Sequence, residues 1–431
     1  MKTESNNHNA SFPVRNSFRF QLLAILIGLI ISSTGLLVCA NSGLKTKPHE
    51  KTKWVGTWAT APQLVEPHNM PPEPGLSNNS IRQVVCVSIG GERVRVRFSN
   101  EFSESPVTMK TVQIAVSIEG SAIDESSVKE LEFNGKHEVT MQPGEAITSD
   151  PLTFDLKPRM EVAVTIYFCE TSPDVTGHPG SRTTSYLISG NNISEDADFS
   201  DAIKTDHWYV INGIDVEALK SAAAVAIIGN SITDGRGSGT NKQNRWPDIL
   251  SQRLLENEET KEVAVLNMGI GGNCVLRGGL GPTALKRFGR DILKQHGVCW
   301  LIIMEGVNDL GGARSKEMAE LVAKGLIEAY KTMIDEAHAQ GIKVYGGTIT
   351  PIMKSFYYTD YREVARNTVN EWIRTSGRFD AVVDFDKAIR NPEDNLTIFP
   401  EYQSGDYLHP NETGYIMMGK SIDLSLFEQD L

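Results

Sequence analysis

Positive charge is in deficit. The 431-residue chain carries 42 Lys and Arg against 54 Asp and Glu, a formal net charge of −12. That balance supplies neither the basic footprint of a nucleic-acid binder nor a patch for an anionic membrane surface, and a neutral or weakly charged substrate is expected. Cysteine is scarce: Cys39, Cys86, Cys169, Cys274 and Cys299 are the five present, in no metal-ligating spacing. Histidine is also scarce, at nine residues, which shortens the list of candidate bases. Hydrophobic residues are not lacking. At 40% they allow a sizeable core and, at this length, two or three domains.

The N-terminus reads as an export signal. Lys2, Arg15 and Arg19 precede FQLLAILIGLIISSTGLLVCA, a charged segment followed by an apolar one. Val38-Cys39-Ala40 offers a small residue for cleavage after Ala40. Two other outcomes stay open: lipidation of Cys39, with Val38 bulkier than the residue usual there, and retention of the apolar run as a membrane anchor. All three put the folded part outside the cytoplasm, as a periplasmic, secreted or envelope-anchored protein whose only membrane contact is its N-terminus. In an exported chain Cys86 and Cys169 could pair. Both sit in apolar strand-like runs, which favours buried free thiols.

Two periods divide the rest. Residues 1–40 are the export segment and 41–52 a linker. From 53 to 215 the period is two. Val94, Val96 and Phe98 alternate with Arg93, Arg95 and Arg97; Val112, Ile114, Val116 and Ile118 share a face, as do Val162, Val164, Ile166 and Phe168. Gly90-Gly91 reads as a tight hairpin. This pattern predicts an antiparallel β-sandwich. From 216 to 431, apolar runs (AAVAIIG, EVAVLNMG, VCWLIIMEG, KVYGGTIT, AVVDF) alternate with helical stretches. Nearly continuous Val and Ile predict parallel strands covered on both faces, hence an α/β domain. Its ligands bind at the C-terminal strand ends.

The first of these strands stops at Gly229-Asn230-Ser231. A Walker loop would need a lysine that is not there. The glycines at 235, 237 and 239 come too late for a dinucleotide fingerprint. A structural turn and a nucleophilic serine remain. A serine needs a base, and His409 in SGDYLHPNETGY is a candidate. Asp406, three residues earlier, can reach its Nδ1–H in a tight loop and leave Nε2 for a serine proton. The alternative is that Asp406 and His409 only cap the final helix. Asp234 and Asp309 are further carboxylates with no histidine nearby in sequence. Gly272, in NMGIGGNC, lets a backbone N–H approach a ligand. Asn308, in MEGVNDL, can donate its amide to an oxyanion.

Ser231, Gly272, Asn308 and His409 fall one per loop, in order, on one face of the expected sheet. This set resembles the SGNH, or GDSL-type, hydrolases. The resemblance implies Ser231 as nucleophile, Asp406 and His409 as its triad partners, and Ser231, Gly272 and Asn308 as the oxyanion hole. Asn230 departs from the Asp usual in the family. ITDGRGSGTNKQNRWPDIL, GGNCVLRGGLGPTALKRFGRD and TPIMKSFYY, with WVGTWATAP and RVRVRFSN in the β-region, resemble an acetyl-xylan-esterase-like branch. That branch implies a flavodoxin-like three-layer αβα fold after an accessory β-domain. It also implies no cofactor or metal, and hydrolysis of acetyl or other small acyl esters on a polysaccharide or oligosaccharide. Arg277 and Arg287, in a Gly- and Arg-rich stretch, favour a polar substrate over the long apolar groove of a lipase or thioesterase. A carbohydrate-binding protein with a dead hydrolase domain is the other rival. Trp54, Trp58 and Trp208 could stack on sugars or pack at a domain edge.

Overall fold

The computed structural model describes residues 52–191 and 199–428. The expected export segment, Cys39 included, and nearly all of the expected linker lie outside the described residues.

The period-two segments form antiparallel sheets. The first contains Thr52–Ala59, Ile211–Leu219 and Gly91–Ser99, with Ala146–Thr148 and Leu152–Leu156 both paired to the last. The second runs Ile203–Thr205, Ser185–Ser189, Asn79–Cys86, Glu161–Phe168, Val107–Val116. A small third sheet joins Trp208–Tyr209, Thr176–His178 and Gln63–Leu64. Val94, Val96 and Phe98 of the first sheet are fully buried in one cluster with Val112, Ile114, Val162, Val164, Ile166 and Phe168 of the second. Burying each such side chain stabilises by roughly 1.5–3 kcal/mol, and a one-residue slip would turn all of them outward. The opposite face of ERVRVRF meets acids on the neighbouring strand: Arg93 pairs with Glu217, and Arg95 and Arg97 flank the buried Asp215.

Two expectations are corrected, and the alternative of a Cys86–Cys169 bridge is closed. Gly90-Gly91 is not a hairpin: Asn79–Cys86 lies in the second sheet and Gly91–Ser99 in the first, so the chain crosses between sheets there. Ile118 does not share the buried face, because its strand ends at Val116 and its side chain is exposed. Cys86 and Cys169 are both free and cannot bridge. Cys86 pairs with Glu161 at one end of a strand ladder, while Cys169 accepts from Asn78 N–H beyond the other end. At ~3.4 Å per residue the two lie roughly 27 Å apart, far beyond disulfide reach.

The second region is a parallel sheet. Its strands are β1 (Ala223–Gly229), β2 (Val263–Gly269), β3 (Val298–Met304), β4 (Lys343–Gly347) and β5 (Ala381–Val383). The order is β2-β1-β3-β4-β5, the flavodoxin-like arrangement. Every residue of β1 is buried, and the two faces separate cleanly. Ala224, Ala226 and Ile228 join the cluster holding α2 (Lys316–His338) and α3 (Asp360–Thr375). Ala223, Val225 and Ile227 join the one holding α1 (Trp246–Leu255) and α4 (Glu412–Lys420). That is a three-layer αβα architecture. The first cluster also continues into the β-sandwich. Polar ties reinforce the join: Ser88 Oγ bonds both the carbonyl and the N–H of Val265, and Gly56 N–H donates to His296 O. Trp58 and Trp208 are buried here as an edge-to-face pair 5.0 Å apart, and Trp54 lies under the Arg95 guanidinium.

The strand ends are tied together by one side chain. Arg287, on the short helix Ala284–Phe288, donates to Gly229 O and Met268 O at 3.1 and 2.6 Å. It also donates to Asn273 Oδ1 and Asp291 Oδ2, each at 3.1 Å. Its side chain is wholly buried. Arg287 therefore offers nothing to a substrate, and only Arg277 of the two arginines borders a surface hollow. Breaking a buried pair by removing one partner costs about 3–5 kcal/mol. Arg287→Met should lose that much stability in urea denaturation.

Candidate active site

β1 ends at the topological switch point, where its neighbours β2 and β3 leave in opposite directions. Asn230 follows in extended conformation, and its Oδ1 accepts from Ile232 N–H. Ser231 opens the short helix Ser231–Asp234 and is buried to 6% exposure. A first-turn N–H has no intrahelical acceptor, and that of Ser231 finds none elsewhere among the described residues. Its Oγ lies 2.9 Å from His409 Nε2.

His409 comes from the loop before α4. Asn411 caps that helix by accepting from Gly414 N–H, so Asp406 and His409 are not its cap. Asp406 Oδ1 accepts from the N–H groups of Leu408 and His409, both at 2.9 Å, and Oδ2 lies 2.7 Å from His409 Nδ1. Burial pushes this carboxyl up. The His409 backbone and side-chain bonds and the Leu408 N–H outweigh it and hold the carboxyl at about 2. It is ionised and fixes the tautomer with Nε2 unprotonated. Burial draws the His409 imidazole below its ordinary 6.5; Asp406 opposes this, and the Arg236 and Arg182 guanidinium groups add to it.

Gly272 and Asn308 complete the set. Gly272 sits at φ +68°, a left-handed conformation that favours glycine, and its N–H has no acceptor among the described residues. Asn308 Nδ2 donates to Asn273 O at 2.7 Å, and Oδ1 accepts from Tyr357 OH at 2.9 Å. Both ends of the amide are therefore fixed, and one N–H is left over. Asp309 accepts from Val275 and Leu276 N–H, pinning the loop that carries Gly272. Among the described residues no group of three or more His, Cys, Asp or Glu side chains could hold a metal ion.

Ser231, Gly272, Asn308 and His409 all line one cleft of about 310 Å³. Its opposite wall comes from the β-region: Gln63, Glu66, Asn69, His178, Arg182 and His207. A second hollow of about 380 Å³ shares Gly272, Asn308 and Tyr357 and is lined beyond them by Leu276, Arg277, Met318 and Val322. The β-region also grips the nucleophile turn. His178 Nδ1 lies 2.9 Å from the carbonyl oxygen of Ala61, and its Nε2 lies 2.9 Å from Asp234 Oδ1. Gly180 makes room for this, since a Cβ there would lie 2.0 Å from Asp234 Oδ2. Asp234 does have a histidine, then, but one that lies before it in the other sheet system. No local spacing signals that contact, nor Tyr357 or Arg182 at the cleft.

Behind the serine lies a buried acid. Glu305 Oε2 accepts from Asn230 Nδ2 and Gly306 N–H, both at 3.2 Å. Burial raises Glu305 to about 8, against the opposing pull of Arg287. Asn230 is thus both cap and donor. An Asp there would cap equally well but turn an acceptor toward Glu305.

Residues 227–416, less than half of the chain, match the GDSL-like Lipase/Acylhydrolase family model. This segment is a GDSL-like hydrolase domain. No curated protein matches the chain. Several solved structures resemble part of the chain. A GDSL-like lipase of Bacteroides thetaiotaomicron is 20% identical, with 48% of this chain and 90% of that one covered and a TM-score of 0.36. A catalytic mutant of an acetylxylan esterase from Geobacillus stearothermophilus is 18% identical, covering 46% and 93%, with a TM-score of 0.36. A lipolytic protein of the G-D-S-L family from Veillonella parvula is 22% identical, covering 46% and 96%, with a TM-score of 0.35.

Two pH dependences follow from the GDSL domain's buried groups. Glu305 binds its proton more tightly folded than unfolded, so its contribution to stability is lost as pH rises from about 4.5 to about 8. The stability difference between wild type and Glu305→Gln should move in the variant's favour across that window and stay level above it, as read by denaturation at each pH. If His409 must be neutral, the acid limb of kcat/KM should fall below pH 6.5, and Arg236→Gln should shift it upward.

Proposed function

We propose that this protein is an exported serine esterase that removes small acyl groups, acetyl foremost, from carbohydrate esters such as acetylated xylan. The carrying observation is the hydrogen-bonded series Ser231–His409–Asp406 opening on a cleft that also holds unpaired N–H donors. In this reading Ser231 Oγ attacks the ester carbonyl while its proton passes to His409 Nε2. The oxyanion is held by the N–H groups of Ser231 and Gly272 and the spare N–H of Asn308. His409 then gives its proton to the departing sugar oxygen, leaving an acyl-enzyme. Water attacks next, losing a proton to His409, and Ser231 leaves with that proton as the carboxylic acid is released. Asp406 keeps its charge throughout and stabilises the imidazolium.

A carbonyl held by Gly272 and Asn308 has one hollow on either side. The polar cleft suits the sugar, and the hollow at Leu276, Met318 and Val322 suits the acyl group. That hollow exceeds the needs of an acetyl group, which favours a second reading with longer acyl chains, as in a lipase or thioesterase. A series of acetyl, butyryl, hexanoyl and decanoyl esters separates the two: kcat/KM should be highest for acetyl, and a maximum at hexanoyl or beyond would establish the second reading.

The full chain should release acetate from acetylated xylan, and Ser231→Ala should release none while unfolding at the same temperature. Asn308→Ala should lower kcat by about 10²–10³. Equal release by Ser231→Ala would remove the esterase assignment.

A further inference from the structure

Most arginines among the described residues are hydrogen-bonded to an acceptor; two at the cleft are not. Arg182 lines the cleft, held at φ +52° in the left-handed region. Its charged partner is Asp234, at 3.5 Å from Nη2, yet that contact lacks hydrogen-bond geometry, since Asp234 Oδ2 has no hydrogen-bond partner. Arg182 Nε is buried and likewise has none. Arg236, two residues past the short helix that carries Ser231, lines the same cleft, and its guanidinium makes no hydrogen bond or ion pair with any described residue. Buried arginines can be closely satisfied in this chain: Arg366 makes bonds to Glu363, Asp386 and Ile349 O, and the half-buried Arg374 bonds Asp384 and Asp386.

An arginine left without acceptors beside a reactive serine is short of a ligand. The planar guanidinium matches a carboxylate in two parallel bonds. The acids of the cleft do not meet that need. Glu66 is taken up by Gln63 Nε2 and Asn69 Nδ2, and Asp234 faces His178. With two cations and two anions lining the walls, the cleft suits a monoanion better than a multiply charged group. Both arginines also lie close enough to the His409 imidazole to disfavour its protonation, which places them near the reacting ester.

We propose that Arg182 and Arg236 form a carboxylate subsite beside the nucleophile, so that the alcohol half of the preferred ester is an acidic saccharide, with a uronate at or next to the acylated sugar. This rests on the carbohydrate-ester reading above for its catalytic meaning, and replaces the neutral substrate suggested by net charge. It also gives the β-region a share in specificity, since Arg182 comes from there and Arg236 from the GDSL domain.

The test is binding, which needs no turnover. Xylotetraose and a xylotriose bearing one glucuronate are titrated calorimetrically into the full chain. The acidic sugar should bind at least about tenfold more tightly, equivalent to ~1.4 kcal/mol, and the margin should shrink with added salt. Arg182→Gln/Arg236→Gln should bind both sugars alike. Arg236→Gln alone, at an exposed position, should lose part of the margin and guards against misfolding of the double variant. Equal affinities in the wild type, or a margin that survives the double variant, would overturn the subsite. The kinetic counterpart is the kcat/KM ratio for acetylated acidic over neutral oligosaccharide, read on each enzyme so that general changes in turnover cancel. Acid-selective binding without Ser231-dependent ester hydrolysis would strike the catalytic reading alone. Hydrolysis with no acid preference would strike the subsite alone.

Discussion

Arg287 is the constraint on which the rest of the site depends. Parallel strands end at the rim of the sheet's own hydrogen bonding, and here those ends must also hold a nucleophile in place. One guanidinium gathers the carbonyls of Gly229 and Met268 and the side chain of Asn273. These are the last residue of β1, the penultimate residue of β2 and the neighbour of Gly272. A fixed fork of five donors can serve three chain segments at once, whereas the point charge of a lysine cannot. Asn273 then passes the constraint on, since its carbonyl accepts from Asn308. The turn at Ser231, the loop at Gly272 and the amide at Asn308 are thereby positioned by one connected set of bonds.

That rigidity has an electrostatic cost, and the structure distributes it. Asp291 balances Arg287 inside the core. Glu305 lies near the same guanidinium, but at 3.8 Å and fully buried it is driven toward its neutral form. The contrast with Asp406 is instructive. Asp406 is about one-third exposed and accepts hydrogen bonds from Leu408 N–H, His409 N–H and the His409 ring, with a longer one from Ser404 Oγ, so it stays ionised. Two carboxyl groups on either side of the serine are thus set to opposite protonation by solvent and donors. Only the ionised one touches the histidine.

The sequence was legible where structure is local. Alternation in ERVRVRF and EVAVTIYF fixed which residues face the sandwich core, because a strand's period is two whatever it packs against. Continuous apolar runs gave the five parallel strands. The three-residue spacing of Asp406 and His409 is itself a loop geometry, so it could be read directly. What escaped depends on contacts between distant segments. Gly90-Gly91 has the composition of a hairpin, yet the flanking strands find partners in different sheets. Arg287 looks like a surface residue until the carbonyls it binds are assembled around it. His178 and Asp234 are separated by a full change of architecture, and neither carries a local signal of the other.

Asn230 shows how such a contact can explain a departure from a family pattern. Read as a turn residue, Asn and Asp are interchangeable, since either oxygen accepts from Ile232 N–H. The difference lies in the other atom. Asn presents an amide to Glu305, and Asp would present a second acceptor to a carboxyl that already lacks solvent. That arrangement would require a proton between the two groups. The amide removes the requirement, so the turn holding Ser231 keeps its hydrogen bond whether or not Glu305 is ionised. The choice at position 230 therefore belongs with the choice at position 305, and both serve the turn more than the chemistry.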